Sequence, residues 1–224
     1  MKTKKLFFAL LLSILVINIY GQGIGISASY NMAKQKIVYD GKIQPEESFI
    51  HFKNLSTFGF GINYDLEIAE NFYGEIGFNY VKKGLSILVE GEGAENDDGS
   101  TLDLNGKVVI NYIQLPFYLK YNFEVGDNMY AFGFGGLDLG LALGGKYVWD
   151  DGSDKTEEDL KFGSSESDDF KSTDMSLTFG AGVLINNIEL RLGLTNGLSD
   201  IDPAKDDEVY NRIFFIGIGY RFKL

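Results

Sequence analysis

Large apolar residues alternate with small or polar residues in several separate stretches of the chain. The clearest stretch is 57–68. One of its faces holds Phe58, Phe60, Ile62, Tyr64, Leu66 and Ile68, and the other holds Gly59, Gly61, Asn63, Asp65 and Glu67. A period of two residues indicates β-strands, because successive side chains of a strand point to opposite faces. The pattern predicts eight strands, at roughly 23–30, 57–68, 72–83, 107–124, 129–146, 175–185, 188–198 and 212–224.

The predicted connections alternate between long and short. The long ones are 31–56, 84–106, 147–174 and 195–211, and the short ones are "AEN", "VGDN" and "NN". Bacterial outer-membrane barrels have this arrangement, with long loops outside the cell and tight turns in the periplasm. The pattern therefore predicts an all-β fold: an eight-stranded antiparallel transmembrane β-barrel, an up-and-down meander with long acidic extracellular loops. Both ends of the chain are expected on the side of the short turns.

Periodicity alone leaves two orientations open, because a soluble lipocalin-like barrel would place the apolar face inside. An eight-stranded barrel is barely wide enough for side chains to fill, so it has no room for the many aromatic residues of this face. The apolar face also carries no charge at any strand centre, where a Lys or Arg would cost roughly 2–4 kcal/mol at the bilayer midplane. These arguments favour a membrane barrel with its apolar face towards lipid.

Aromatic residues collect near the short turns on this face. They are Tyr64, Phe72, Tyr121, Phe123, Tyr130, Tyr220 and Phe222. Aromatic rings favour the membrane interface, so we predict a girdle at this level. The alternative is that they are ordinary aromatic residues of a barrel surface.

Two strands are expected to be irregular. In 129–146, Phe132 and Phe134 are predicted to face outward, whereas the leucines from Leu137 onward occupy positions of the opposite parity. The change of phase predicts a β-bulge or kink at Gly135–Gly136, which would turn Asp138 into the lumen. Pro116 lacks a backbone donor and predicts a local break in its ladder.

The first residues have the pattern of a secretory signal peptide. Lys2, Lys4 and Lys5 precede an apolar run that is too short to be a typical membrane-spanning helix. We expect a signal peptide at 1–21 and an outer-membrane barrel domain at 22–224. The formal net charge of −12 argues against a nucleic-acid partner, and the absence of Cys excludes disulfides and thiolate sites.

Four further segments carry a family resemblance. They are "NYIQLPFYLKY" (111–121), "FGFGGLDLGLAL" (132–143), "RLGLTNGLSDI" (191–201) and "GIGYRF" (217–222). In their order and spacing they resemble the small outer-membrane β-barrel family of Bacteroidetes, often labelled porin-like or PorT-like. The resemblance implies a bacterial outer-membrane location, with some members tied to secretion and gliding. It also implies that the barrel-assembly machinery recognises the last strand, although here Lys223 and Leu224 follow the final aromatic residue.

Charged residues on the predicted lumen face are the first candidates for chemistry. They are Asp65, Glu67, Glu75, Lys83, Lys120, Glu189, Arg191 and Arg221. They could line a selective pore, but in so narrow a barrel a packed core of paired charges is favoured, because buried charges need partners.

The acidic loops offer a second candidate site. They could bind Ca²⁺, but they lack EF-hand spacing and are expected to be solvated surface loops. A lipid-modifying enzyme would need a nucleophile and a base, and only His51 near Ser48 offers a weak pair.

These observations predict a non-enzymatic protein with no catalytic, cofactor or metal site. Its expected role is that of a structural or interaction scaffold in outer-membrane lipid that displays acidic loops. One alternative is passage of small apolar molecules through a side opening near Gly135, and a less favoured one is lipid-modifying activity.

Overall fold

A computed structural model describes residues 23–39, 42–43, 50–95, 101–150, 154–204 and 207–223. All regular elements in these ranges are β-strands, and they form one sheet. The strands are β1 (Gly23–Tyr39), β2 (Lys42–Ile43), β3 (Ile50–Lys53), β4 (Leu55–Ala69), β5 (Phe72–Glu95), β6 (Thr101–Gly126), β7 (Met129–Asp150), β8 (Lys155–Asp159), β9 (Thr173–Ile185), β10 (Ile188–Gly197) and β11 (Asp207–Lys223). None of the described residues belongs to a helix long and apolar enough to cross a membrane.

Eight long strands close into a barrel. Their order is β1, β4, β5, β6, β7, β9, β10 and β11, and β11 pairs with β1 to complete the ring. Every pairing between them is antiparallel, and the closing pair runs from Gly23↔Lys223 to Tyr39↔Asp207. The short strands β2, β3 and β8 extend this sheet beside β1, β5 and β7. The predicted eight-stranded antiparallel barrel is confirmed.

Three tight turns connect strands at one end, which we call the turn end; the opposite end is the loop end. Each turn contains one Asn in the left-handed region, at Asn71 (φ 64°), Asn128 (φ 54°) and Asn186 (φ 55°). Asn tolerates this conformation better than most residues, which suits two-residue hairpins. The carbonyls of Asn71 and Asn128 accept backbone hydrogen bonds of 2.9 and 2.8 Å from the next hairpin. The described residues nearest the two chain ends, Gly23 and Lys223, lie at this end, as predicted.

The apolar face of the barrel points outward. Ile62 is 59% exposed, whereas Asn63 beside it is 3% exposed and faces the lumen. The last strand behaves in the same way, because Ile216, Ile218 and Phe222 are exposed while Arg221 is buried. The outward orientation of the apolar set is therefore confirmed.

Most of the predicted aromatic girdle lies on this outer face. Tyr121 and Phe123 contact each other with ring centroids 4.6 Å apart, and Tyr220 and Phe222 do so at 4.8 Å. Tyr130 differs, because it occupies the same phase of β7 as the lumen-facing Phe132 and Phe134. Its outward placement was a wrong prediction.

The strands continue beyond the predicted boundaries at the loop end. β5 extends to Glu95 and β6 begins at Thr101, although the sequence predicted a loop over 84–106. β1 likewise continues to Tyr39. Outside the apolar zone a strand has no lipid to face, so its pattern no longer alternates and the signal is lost.

The phase of β7 also differs from the prediction. Phe132 and Phe134 are only 3% and 7% exposed and point into the lumen. Pairing is unbroken through Gly135 and Gly136 on both neighbouring strands, so the predicted bulge there is wrong. Even-numbered residues face the lumen from Phe132 to Asp138, which confirms the predicted inward direction of Asp138.

The irregularity of β7 lies farther along the strand. Asn111 pairs with Gly144 and Tyr112 with Ala142, so Leu143 is the extra residue of a bulge. Gly144 has φ 154°, a value that a side chain would strain. The break predicted at Pro116 is confirmed, because the β5–β6 ladder omits Leu115 and Pro116 while the register on either side is unchanged.

Candidate functional site: the barrel lumen

Six charged side chains form an ionic cluster in the lumen near the turn end. They are Asp65 on β4, Glu75 on β5, Lys120 on β6, Glu189 and Arg191 on β10, and Arg221 on β11. The cluster combines three carboxylates with three cations, so its formal charges cancel. It brings together residues up to 156 positions apart in the chain, from Asp65 to Arg221, which pair only because the barrel is closed.

Glu75 lies at the centre of the cluster. Arg191 holds it with two parallel hydrogen bonds, Nη1 to Oε1 at 2.9 Å and Nη2 to Oε2 at 3.0 Å. Arg221 donates from Nη2 to Oε2 at 2.7 Å, and the Lys120 ammonium lies 3.5 Å away. The planar guanidinium matches a carboxylate in this geometry, which is the strongest form of such a pair.

The two remaining carboxylates join the same cations. Lys120 Nζ donates to Asp65 Oδ2 at 2.5 Å, and Arg221 Nε donates to Glu189 Oε2 at 2.7 Å. Arg191 also contacts Glu189 through Nε at 2.5 Å. Because each buried charge has an opposite partner, the cluster resembles a packed ionic core and leaves no row of free charges to attract ions.

Aromatic rings cover the loop side of this cluster. The guanidinium of Arg191 lies 5.1 Å from the ring centre of Phe134, and Lys120 Nζ lies 5.5 Å from that of Phe132. Space for the rings comes from Gly180 and Gly182 on β9. A Cβ at Gly180 would lie 2.6 Å from Phe134 Cζ. These contacts explain why Phe132 and Phe134 face inward: β9 leaves room, and the cations favour an aromatic face.

A second polar network lies farther towards the loop end. Tyr118 Oη donates to Asp138 Oδ1 at 2.7 Å, and Thr178 donates to the other oxygen of Asp138. The hydroxyls of Thr178 and Thr195 are 2.7 Å apart. These bonds link the consecutive neighbouring strands β6, β7, β9 and β10 along one part of the barrel wall.

Above this network Lys83 is paired with Asp174. Lys83 Nζ donates to Asp174 Oδ2 at 2.8 Å, and both side chains are fully buried. Asn211 donates to the same oxygen at 3.0 Å, and the Lys83 ammonium lies 5.0 Å from the ring centre of Tyr112. This pair is separate from the ionic cluster and forms a further crossing of the lumen.

An apolar plug closes the loop end. It consists of Leu85, Val108, Ile110, Tyr112, Leu160, Phe170, Ile201 and Val209, all buried. Leu160 and Phe170 come from the acidic connection between β7 and β9, and Leu160 donates its backbone N–H to the Gly145 carbonyl at 3.0 Å. The expectation that this connection is a solvated loop is therefore wrong for Leu160 and Phe170, whereas β8 within it is exposed along its whole length. Burial of apolar side chains holds the segment in the barrel mouth.

A polar chamber lies beside the networks, against β1 and β4. It has a volume of about 70 Å³ and is lined by small or amide side chains, among them Ser27, Ser29, Asn31, Asn63 and Gln114. The Asn31 and Gln114 amide nitrogens and the Asn63 amide oxygen are buried without a protein partner. The chamber has room for water, and its polar lining suits water molecules.

Sequence reasoning placed most of the lumen charges correctly. Seven of the eight predicted charged residues are buried or nearly buried inside the barrel, and Glu67 is the exception. The β4–β5 register shifts between Glu67 and Ala69, and Glu67 is exposed at the turn end. Sequence reasoning missed Asp174, because it fell in a predicted loop, and the inward-facing Tyr112 and Tyr118. The only sequence signal for Tyr112 and Tyr118 was that they alternate with the outward-facing residues Ile113, Leu115 and Phe117.

The described residues offer little support for the enzymatic alternative. His51 lies in β3 and pairs with Leu88 of β5, while Ser48 lies outside the described residues. No group of His, Asp and Glu suited to holding a metal ion occurs within the described ranges.

Comparison with known proteins agrees with the barrel geometry. A family model described as an outer membrane protein beta-barrel domain matches residues 21–202. The chain belongs to this family. The protein is therefore an outer-membrane β-barrel protein whose exposed apolar face meets lipid. Among curated proteins, none matches the chain.

Several solved structures are similar to this outer-membrane barrel in fold. The attachment invasion locus protein Ail of Yersinia pestis is 17% identical, with 91% of this chain and 100% of that chain covered and a TM-score of 0.39. Neisserial surface protein A is 12% identical, with 91% and 98% covered and a TM-score of 0.41. OprG from Pseudomonas aeruginosa is 16% identical, with 91% and 97% covered and a TM-score of 0.37.

Proposed function

We propose that the protein is a closed, non-enzymatic barrel that serves as a lipid-embedded scaffold and presents its loop end to partner molecules. One observation carries this proposal: the lumen is filled at two levels. The neutral ionic cluster around Glu75 fills the turn end, and the apolar plug around Tyr112 fills the loop end. A solute would have to break buried ion pairs and displace packed side chains to pass, and both changes are costly.

The proposal includes several finer points. Residues 1–21 act as a secretory signal peptide, and the barrel-assembly machinery recognises the last strand through its outward aromatic residues, Tyr220 and Phe222. Nucleic acid is not a partner, in keeping with the net charge of −12. The affiliation is with the porin-like or PorT-like barrels of Bacteroidetes, on the sequence resemblance given above.

Passage through the barrel wall is the less favoured function. It was expected beside a bulge at Gly135, but the pairs Gly135↔Phe179 and Gly135↔Leu119 both lie in stretches of ladder without a register shift. A side opening would therefore have to form at another place in the wall.

Solute flux tests the closed barrel. The protein is reconstituted into liposomes, and swelling is measured in small sugars and amino acids beside an open porin as positive control. We expect swelling no faster than in protein-free liposomes. Flux in the range of the porin would overturn the proposal of a closed scaffold.

A partner assay tests the scaffold role itself. Outer-membrane extracts are cross-linked to the intact barrel and to a variant in which the exposed strand β8 is replaced by a Gly-Ser segment of equal length. We expect a defined partner that the variant captures less well. If the intact barrel and the variant captured the same proteins in equal amounts, recognition through β8 would be contradicted.

A further inference from the structure

The charges on the outside of the barrel differ between its two ends. At the turn end, among the residues whose burial is described, the exposed charged residues of the strand ends and turns are acidic: Glu67, Glu70, Glu124 and Asp127. On the outer face towards the loop end, strands β1, β6, β7 and β11 carry exposed cations, Lys34, Lys107, Lys146 and Arg212, and farther out β7 and β11 also carry exposed Asp150 and Glu208. These cations lie next to the loop-end border of the exposed apolar surface of the barrel, where the headgroups of the outer leaflet lie.

Two of these cations lie side by side on neighbouring strands. Lys34 of β1 pairs directly with Arg212 of β11, and both side chains are exposed. Asn196 of β10 pairs with Arg212, and Asn54 precedes Leu55, which pairs with Ala33. The four residues form a row across β10, β11 and β1 to the residue that precedes β4, and their side chains can all donate hydrogen bonds.

This row borders a surface groove of about 320 Å³. Met32, Leu194 and Phe214 line its apolar side, one pleat nearer the membrane centre than the row of donors. No carboxylate lines the groove, and neither Lys34 nor Arg212 forms an ion pair with another described residue. The row of hydrogen-bond donors can contact a lipid headgroup, and the apolar side chains below it can contact the start of an acyl chain.

A second surface groove on the same barrel shows the contrast. Lys82 and Lys146 line it, but Asp159 does so as well. Lys146 donates to Glu157 at 2.8 Å, and the paired lysines hold the pKa of Glu157 down to about 2, so this carboxylate stays charged. The positive charge of that groove is compensated by carboxylates, whereas no carboxylate among the described residues pairs with Lys34 or Arg212.

The charge above the row is partly compensated as well. Lys36 lies 5.5 Å from the ring centre of Tyr210, its cross-strand partner, and Tyr210 donates to Glu208 at 3.0 Å. Lys34 and Arg212 therefore lie beside the apolar groove without a carboxylate partner among the described residues. This is the level at which a lipid phosphate would lie.

We propose that the groove between Lys34 and Arg212 binds the phosphate of a phosphorylated outer-leaflet lipid, with the first part of an acyl chain against Met32, Leu194 and Phe214. The Arg212 guanidinium offers a planar pair of donors suited to phosphate oxygens, and Lys34 adds a mobile ammonium. Basic residues at a membrane surface each add about a factor of five to the affinity for anionic lipid. The site would fix the barrel to one class of lipid on one face.

Lipid binding can be measured directly on the intact barrel. Purified protein in neutral detergent is mixed with diphosphoryl lipid A or with its dephosphorylated form, and bound lipid is counted by native mass spectrometry. The test variant is Lys34→Ala/Arg212→Ala. The control is Lys107→Ala/Lys161→Ala, which removes the same charge from two exposed positions outside the groove. All proteins are first checked for the heat-dependent gel shift of a folded barrel.

We expect the wild type and the control to retain one phosphorylated lipid with affinities within twofold of each other. The test variant should bind it about tenfold or more weakly, and dephosphorylated lipid should bind the wild type no better than the test variant. Equal binding by both variants would overturn the proposal. So would equal binding of the dephosphorylated lipid, or displacement by millimolar inorganic phosphate, which would indicate a site for the free anion. Capture of an acidic protein in place of lipid, in a competition with both present, would also overturn it.

Discussion

Lys83 on β5 donates to Asp174 on β9 across the barrel at 2.8 Å, with neither side chain exposed to solvent. The two residues are 91 positions apart in the chain, and the strands that carry them are not neighbours in the barrel. The pair ties β5 to β9 across the lumen and forms only where the curved barrel wall brings these two strands to face each other.

Removing either partner of this pair should destabilise the barrel. We expect Lys83→Met and Asp174→Leu each to lower the free energy of unfolding by about 3–5 kcal/mol, because each leaves a buried charge without compensation. The double variant should lose less than the sum of the two. Urea unfolding in lipid vesicles, followed by the fluorescence of the single Trp149, gives the coupling energy. Strictly additive losses would show that the two residues act independently.

Glu75 should contribute more to stability than any exposed carboxylate of the turn end. In Glu75→Gln, Arg191 and Arg221 lose their shared anion, and we expect a loss of about 3–5 kcal/mol. Glu67→Gln is the matched control, because Glu67 is exposed on the adjacent strand; its effect should stay within about 0.5 kcal/mol. The same unfolding assay compares them, and similar effects for both would contradict a central role for Glu75.

Because the Phe132 side chain points into the lumen over Gly182, barrel stability should depend on the absence of a side chain at Gly182. A methyl group at Gly182 would collide with the Phe132 ring and with the Leu190 carbonyl, so Gly182→Ala should cost about 1–3 kcal/mol. Gly133→Ala is the control, since the nearest atom to its added Cβ is 4.0 Å away. Thermal loss of the folded gel band distinguishes the variants. If Gly182→Ala were as stable as Gly133→Ala, Phe132 would not fill the lumen at this place.

The connection between β7 and β9 should tolerate change only in its exposed part. Phe170→Ala removes a buried ring from the plug and should cost about 3–5 kcal/mol. Glu158→Ala changes an exposed residue of β8 in the same connection and should have little effect. Unfolding measured by Trp149 reports on this end, because the indole ring packs against Gly106 of β6. An unchanged stability in Phe170→Ala would restore the view of the whole connection as a solvated loop.

The sequence by itself determined the barrel, its strand number and its lipid face. Residues such as Ile62 and Ile216 could be assigned from alternation because the bilayer requires an apolar side chain at each outward position of a spanning strand. Most lumen charges followed from the same rule, since Glu75 and Arg221 occupy the intervening positions. The turns were equally clear, because Asn at tight hairpins has a local cause in backbone conformation.

Only the tertiary structure decided what fills the lumen. An inward position accepts a charge, a glycine or a ring, and which of these fits depends on residues brought opposite by strand pairing. Phe132 faces inward because Gly182 on the neighbouring strand leaves space and Lys120 lies near its ring. Phe170 fills the mouth because the barrel offers an apolar surface there, although the segment around it is acidic and polar in sequence. These choices depend on contacts between residues far apart in the chain, and a periodic pattern within one strand carries no record of them.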